Sequence, residues 1–523
     1  LFFGFLLIFN LMKKMKRNNI GKIILGGAIT LAVASCSLDF DPISDYSDVT
    51  EGISETGKEV VFKDKKSVEE HLKLLYTELR NQEWYIDKML MAESHSDNAY
   101  AGAFNAEVLP YEDNSLDATN SVLERDWNRY LSQIGLANKL VIYADSVADK
   151  SLSDAEVKSY QAQGMIFRSL IYFDMVRLWG NIPVVTKVAP NITSENFDEV
   201  YPLYFPLQTP EIDTYKQIES DLLFAVQNAP DYNPADKRVM TKTVARALLA
   251  KLYAEKPLRD YEKVIKYADD VAKDGPQLVD DFSVLFGMKK DEKGNYIDAK
   301  ARNTSESLLE AQFVAGDNNW CYMMFGRNLL NWDENFSWNK WVTPSRDLIK
   351  LYESEGDVER FQESIVYYEC GWSLYYPKDH YPFMYKCRSS QSSIIWMRYA
   401  DILLLKAEGL IMRSSPDLTA AANIIDEIRT KRKLPKLPAS IKGNKEDMLN
   451  ALLKERRMEL AFEGQRWFDL VRLDKVESVM NAVYSKDSGR RARQEAFTEN
   501  SYRLPIPLRV LQANSNMVQN KGY

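Results

Sequence analysis

Histidine and cysteine are scarce: the chain has three His and four Cys in 523 residues. Cys321, Cys370 and Cys387 show no Cys-x-x-Cys spacing and no neighbouring histidine, which argues against a zinc site and a disulfide framework. A Cys370–Cys387 pair stays open. His71, His95 and His380 have no partner at helical spacing and no His-Glu-x-x-His setting, so they do not point to a metal or a catalytic base. The chain has no Gly-x-Ser-x-Gly elbow, phosphate-binding loop or dinucleotide fingerprint, so no cofactor is implied, and a loop-ordering calcium ion is left open. Net positive charge is missing too. The total is −8 and the body carries no basic block, which excludes nucleic acid as a partner, because such binding needs Lys and Arg to neutralise phosphates. Long apolar runs are also absent. Residues 23–34 make roughly 18 Å of helix against a hydrocarbon core of roughly 30 Å, too short to span it.

That short run has another reading. Lys13, Lys14, Lys16, Arg17 and Lys22 precede it, and it leads through small residues into Cys36, in the string LAVASC at 31–36. This is the layout of a secretory signal peptide, residues 1–35. A cysteine at the cleavage position resembles a bacterial lipobox. The resemblance implies cleavage before Cys36, acylation of Cys36, and a protein held on a membrane outside the cytoplasm. Residues 1–11 are a second apolar run and read as an over-extended start, with Met12 or Met15 as initiator. Removing residues 1–35 takes the net charge from −8 to about −13, since the leader holds five cations and no acid. Residues 36–60 are polar and acidic after Cys36 and read as a flexible tether.

From about residue 66 the pattern turns helical. Val68, Leu72, Leu75 and Leu79 recur at three-to-four spacing, as do Trp127, Tyr130, Ile134, Ala137 and Leu140. Residues 162–180 continue the pattern to Gly180, and the NIPVVTKV string that follows reads as a short strand or extended segment. Helices are then expected at 215–230, 241–255, 261–275, 396–412 and 421–435. Arg168, Arg246 and Arg398 each open an aliphatic stripe with small residues that let a second helix approach closely. Such units resemble degenerate tetratricopeptide repeats. The predicted class is mainly α, a tetratricopeptide-type scaffold with a few short strands.

Residues 276–392 interrupt the helices. Of the 66 residues in 320–385, 17 are aromatic, against 12% in the whole chain, and they sit among Gly, Asn, Asp and Pro without helical period. The segment reads as a loop-rich, aromatic-rich insertion, where binding chemistry usually resides. It divides the scaffold into 61–275 and 393–523.

Seven landmarks in order carry a family resemblance: the lipobox at Cys36, SDNAYAG at 96–102, the Trp127-to-Asn138 pattern, FRSLIYFDMVRLWGNIPVV at 167–185, RYADILLLKAE at 398–408, ERRMELAFEGQRWFDLVRL at 455–473 and the closing 502–523. Over nearly its full length the chain resembles the SusD/RagB outer-membrane lipoproteins of the Bacteroidetes type. The resemblance implies four helical pairs with a variable, loop-rich face. It also implies a surface-exposed, lipid-anchored, non-catalytic protein that binds a glycan and delivers it to a SusC-like TonB-dependent transporter. Oligopeptide binding, as in the RagB branch, is the alternative cargo. An α-helical glycoside hydrolase with paired carboxylates is a minor one.

Glu455, Glu459 and Glu463 at i, i+4 spacing look at first like paired catalytic carboxylates. Interleaved Arg456, Arg457 and Arg466 make an ion-pair network the better reading, because neighbouring cations keep carboxylates ionised and unfit as general acids. Trp127, Trp179, Trp396 and Trp467 lie in helical patterns and read as core. Candidate ligand contacts are Trp84 and Tyr85 after the first helix, and Asp97, Asn98, Tyr100 and Phe104 around SDN. The insertion adds Trp320, Tyr322, Trp332 and Trp338, then Trp372, Tyr375 and Tyr376, about half of which are expected to fill the insertion's own core.

Overall fold

The computed structural model describes residues 61–102, 107–317, 319–321, 340–371 and 375–523, all within the unit Ser47–Tyr523. Helix α1 (Lys65–Glu78) begins in a capping box: the Asp64 carboxylate accepts from the Ser67 amide at 2.7 Å and Ser67 Oγ accepts from the Asp64 amide at 3.2 Å. Its apolar face buries Val68, His71 and Leu75. Helix α2 (Gln82–Met89) runs into a π-turn, and strand β1 (Ala99–Tyr100) follows. The long helices come next, α3 (Ser121–Tyr143) capped by Asn120 and α4 (Asp154–Trp179) capped by a Ser153–Glu156 box. Gly180 ends α4 at φ +73°, a backbone conformation that side chains with a Cβ resist. Of the NIPVV string, Ile182 makes an isolated antiparallel bridge to Thr209.

Helices α5 (Glu211–Asn228), α6 (Lys242–Ala254) and α7 (Tyr261–Lys273) complete the first half. Then come β2 (Met288–Lys290), β3 (Tyr296–Ala299), β4 (Ser307–Ala311), β5 (Thr343–Pro344), α8 (Arg346–Glu355), α9 (Val358–Ser364), β6 (Ile365–Tyr368), β7 (Tyr381–Met384) and β8 (Ile394–Arg398). Among the described residues the strands form two-stranded antiparallel pairs, β1 with β5, β2 with β3, β4 with β8 and β6 with β7. After β8 come α10 (Tyr399–Met412), α11 (Leu418–Lys431), α12 (Lys445–Glu459), α13 (Arg466–Arg472) and α14 (Val476–Lys486), followed by a short helix α15 (Leu508–Ala513).

The helices stack in chain order: α3 on α4, α4 on α5, α5 on α6, α6 on α7, and α10 on α11 and α12. Helix α7 packs directly on α10 although residues 274–398 intervene, so the scaffold is continuous in space where it is broken in sequence. Gly409 makes that contact close: a Cβ there would meet Ile265 Cγ1 at 2.9 Å and the Tyr261 carbonyl oxygen at 3.1 Å. The three stripe-opening arginines all clamp helices. Arg168 grips Asp221 of α5 through two bonds of 2.8 Å and Asn138 of α3 at 2.6 Å, while Arg246 pairs with Asp274 just beyond α7. Trp127, Trp179 and Trp467 are buried from helices, as the helical pattern predicts, whereas Trp396 is buried from strand β8.

Two predicted boundaries differ. The helix expected from 396 starts at Tyr399, because residues 394–398 form β8, in which Met397 and Arg398 pair with β4. The insertion also contains a regular helix, α8, whose Leu348, Ile349 and Tyr352 face the core. Its short stripe is lost among the surrounding aromatics in the sequence.

Candidate functional site

The carboxylates of the 455–463 block are committed to arginines. Glu459 Oε1 accepts from Arg398 Nη1 at 2.7 Å and Arg432 Nη2 at 2.9 Å, and Oε2 accepts from Arg360 Nη1 at 2.8 Å. Glu455 accepts from Arg360 at 2.7 Å and Arg429 at 3.0 Å, and Glu463 accepts from Arg398 Nε at 2.6 Å. Glu306, on the turn into β4, closes the network against Arg398 at 2.6 Å and Arg432 at 3.0 Å. Glu306, Glu455, Glu459 and their arginines are buried, and the Glu463 side chain is 7% exposed. Burial alone would raise the Glu459 carboxyl; Arg432, Arg398 and Arg360 outweigh it and hold the group well below the usual carboxylate range. Such a group fastens helices and has no proton to give. A cavity of about 10 Å³ lies nearby between Arg177, Glu255, Asp469 and Arg472, room for a water molecule and too small for a sugar.

Asp97 and Asn98 belong to the same kind of interior. Arg466 holds both Asp97 oxygens, at 2.8 and 2.9 Å, while Arg457 donates to Asn98 Oδ1 at 2.8 Å and to Asp347 at 2.8 Å. Burial pushes the Asp97 carboxyl up, but Arg457 and Arg466 prevail and hold it well below its ordinary value. Both residues were expected at ligand. They instead tie the 95–98 turn to α12 and α13.

Trp84 needs the same correction: its ring is buried, and its indole N–H donates to Asp174 Oδ2 at 2.9 Å. Tyr85 is half-buried, edge-on to Trp396 at 5.7 Å. Trp320 alone of the expected aromatics is well exposed among the described residues, at 46%. Cys36, Phe104, Tyr322, Trp332, Trp338 and Trp372 lie outside the described residues.

Three of the expected tyrosines do come together. Tyr100 and Tyr375 stack with centroids 4.5 Å apart and planes 15° from parallel, and Tyr376 sits 6.0 Å from Tyr100. Tyr100 and Tyr375 are buried, so their outer faces are covered, whereas Tyr376 is half-buried and reaches the surface. The hydroxyls are anchored. Tyr100 donates to Asp487 at 2.8 Å and Tyr375 to Glu112 Oε2 at 2.5 Å. Burial and the Asp487 carboxylate push the Tyr100 hydroxyl up to about 12, so it stays protonated as that donor.

Guanidinium groups cover the tyrosines. Arg346 lies 4.2 Å from the Tyr376 centroid, bonds Tyr100 Oη at 3.3 Å and donates to the Tyr375 carbonyl. Arg490 sits between Tyr100, at 5.2 Å, and Tyr484, at 5.4 Å. Gly489 permits this: a Cβ there would stand 1.7 Å from Arg346 Nη1. Arg346, Asp487, Gly489 and Arg490 were missed from the sequence, where they sit hundreds of residues from Tyr100 in unremarkable polar strings. The cluster offers an aromatic ring beside fixed N–H donors and carboxylate acceptors, the pairing that suits a hydroxyl-rich ligand with an apolar C–H face.

The fold defines a helical-repeat protein, and this polar and aromatic cluster, mostly buried, reaches its surface at Tyr376. Residues 371–523 match the model of the SusD family, and residues 45–254 match the model described as starch-binding associating with outer membrane. SusD-like protein P2 of Formosa agariphila is 25% identical over 436 residues, 77% of this chain and 81% of its own length. A laminarin-binding SusD-like protein of known structure superposes with a TM-score of 0.66 at 22% identity, covering 88% of this chain and 100% of that one. Surface glycan-binding protein A from Bacteroides fluxus gives 0.68 at 19%, with coverage of 88% and 100%. The two family models and the curated relatives together support a SusD/RagB family protein.

Proposed function

We propose that this protein binds a glycan at the cell surface, anchored through acylated Cys36 in the outer membrane, and passes it to a SusC-like TonB-dependent transporter. The observation that carries the binding step is the convergence of Tyr100, Tyr375 and Tyr376 from distant segments beneath Arg346 and Arg490. Relatives described as laminarin-binding and surface glycan-binding support the ligand class, and the family description supports the outer membrane. The arginine-bound state of Glu455, Glu459 and Glu463 supports a role without catalysis.

One ring face covers roughly 50 Å² of sugar, worth about 1.3 kcal/mol at 25 cal/mol per Å². Tyr376→Ala is therefore expected to weaken binding about tenfold. The test is retardation of the unacylated Cys36→Ala protein on native gels cast with α-glucans, β-glucans, xylans or pectins. Retardation on one class, weakened by Tyr376→Ala, supports the reading. Retardation on none, with binding to a peptide library instead, overturns it in favour of oligopeptide cargo. Co-purification of the acylated protein with a TonB-dependent transporter tests the delivery step.

A further inference from the structure

Among the described residues every buried arginine but one forms an ion pair with a carboxylate. The exception is Arg490. It is 7% exposed, and its Nε, Nη1 and Nη2 have no hydrogen-bond partner. Its guanidinium lies 5.2 Å from the Tyr100 ring and 5.4 Å from the Tyr484 ring, so aromatic faces flank it. Buried donors left unused are costly, and a buried cation without a counter-charge is more so. Arg346 repeats the pattern nearer the surface. It is half-buried, 6.0 Å from the same Tyr100 ring, and its side-chain acceptors, the Tyr100 hydroxyl and the Tyr375 carbonyl, carry no charge. Gly489, next to Arg490 in the chain, lets the two guanidinium groups share this place, since a Cβ on it would collide with Arg346 Nη1. The carboxylates nearby are engaged elsewhere. Asp487 accepts from Tyr100 at 2.8 Å and from the Gly489 amide at 3.1 Å. Glu112 accepts from Tyr375, from the Ala101 amide at 2.8 Å and from the Arg491 amide at 3.2 Å, and Asp113 accepts from Ser115. With Arg491, and with Arg493 at 5.8 Å from the Tyr484 ring, four arginines meet three carboxylates here, in a chain of net charge −8.

We infer that this cluster is an anion seat and that its glycan carries carboxylate groups, as uronic acid residues do. The inference rests on the glycan-binding reading and narrows it to acidic sugars. Arg346, beside Tyr376, makes the contact, and the carboxylate brings the counter-charge that Arg490 lacks. A guanidinium is a planar fork that meets both oxygens of a carboxylate together, and hydrogen bonds between ions are roughly twice as strong as neutral ones. A neutral sugar offers hydroxyls to the same donors and leaves the charge of Arg490 uncompensated. Tyr376 keeps its part, the ring on which the C–H face of the sugar lies.

The test runs the unacylated Cys36→Ala protein on native gels cast with polygalacturonate, alginate or glucuronoxylan, each beside its carboxyl-reduced form, and with a neutral glucan and a sulfated galactan. The expected result is retardation on a polyuronate, about tenfold weaker on its carboxyl-reduced form and fading between about 0.05 and 0.5 M NaCl as the charges are screened. Arg346→Gln and Arg490→Gln are each expected to weaken it about tenfold, with melting midpoints read alongside. Arg346 is half-buried, so its variant tests the seat even where Arg490→Gln fails to fold. Equal retardation on a polyuronate and its reduced form, or retardation undiminished in Arg346→Gln, overturns the acidic-sugar assignment and leaves glycan binding standing. Retardation on the neutral glucan alone, or on the sulfated galactan alone, overturns the carboxylate in the same way. Retardation on no polysaccharide overturns both readings.

Discussion

Replacing Glu459 by glutamine tests the physical account of the interior most directly. The network around it holds Arg360, Arg398, Arg432, Arg429 and Lys386 against Asp357, Glu306, Glu455, Glu459 and Glu463, so cations and carboxylates balance. Glutamine keeps the shape and removes one charge, leaving a buried cation uncompensated. Three arginines donate to this carboxylate from α9, β8 and the end of α11, so its loss loosens three elements at once. Breaking a buried pair from one side costs about 3–5 kcal/mol, a large share of the roughly 5–15 kcal/mol that holds a domain folded. Guanidinium unfolding followed by circular dichroism reads the loss. The pH dependence gives a second reading. The folded carboxyl titrates well below its unfolded value near 4.5, so its stabilisation is present above that pH and fades as pH falls through the folded value. The variant is expected to lose that part of the acid sensitivity. A loss under 1 kcal/mol, with the acid limb unchanged, refutes the account.

Gly409→Ala forces a methyl group against Ile265 and the Tyr261 carbonyl, and is expected to cost about 1–3 kcal/mol by overpacking, read as a lower unfolding midpoint. Burial pushes the Glu93 carboxyl up to about 7, while Asn98 and Gly464 bond its oxygens at 2.7 and 3.0 Å. The folded group holds its proton where the unfolded one has lost it, so the Glu93 contribution to stability is full below about pH 4.5 and about 3 kcal/mol of it is lost as pH rises past 7. Urea midpoints across that range are expected to slope downward in the parent and to flatten in Glu93→Gln. Gly489→Ala displaces Arg346 from Tyr376 at the flexible end of its side chain; glycan retention is expected to drop several-fold while the melting midpoint moves by no more than about 2 °C.

Which residues build helices, and which faces they bury, is legible in the chain because both depend on neighbours within a turn or two. The stripes of α1 and α3, the stop at Gly180 and the core tryptophans follow from such local rules. The structural role of Glu455, Glu459 and Glu463 was legible for the same reason, since their arginine neighbours sit in the same block. The strand at Ile394–Arg398 was not, because β4, which pairs with it, lies more than eighty residues upstream.

The site depended on tertiary structure most of all. Asp97, Asn98 and Trp84 look like surface contacts in isolation; Arg466, Arg457 and Asp174, supplied by remote helices, take up their polar groups and make them interior. Tyr100, Tyr375 and Tyr376 share no local pattern, and they meet because β1 pairs with β5 and the insertion folds back over α14. Periodicity and composition determined a helical scaffold with an aromatic insertion. Which rings face solvent and which charges find partners was decided by closure of long loops, whose outcome depends on the whole packed interior.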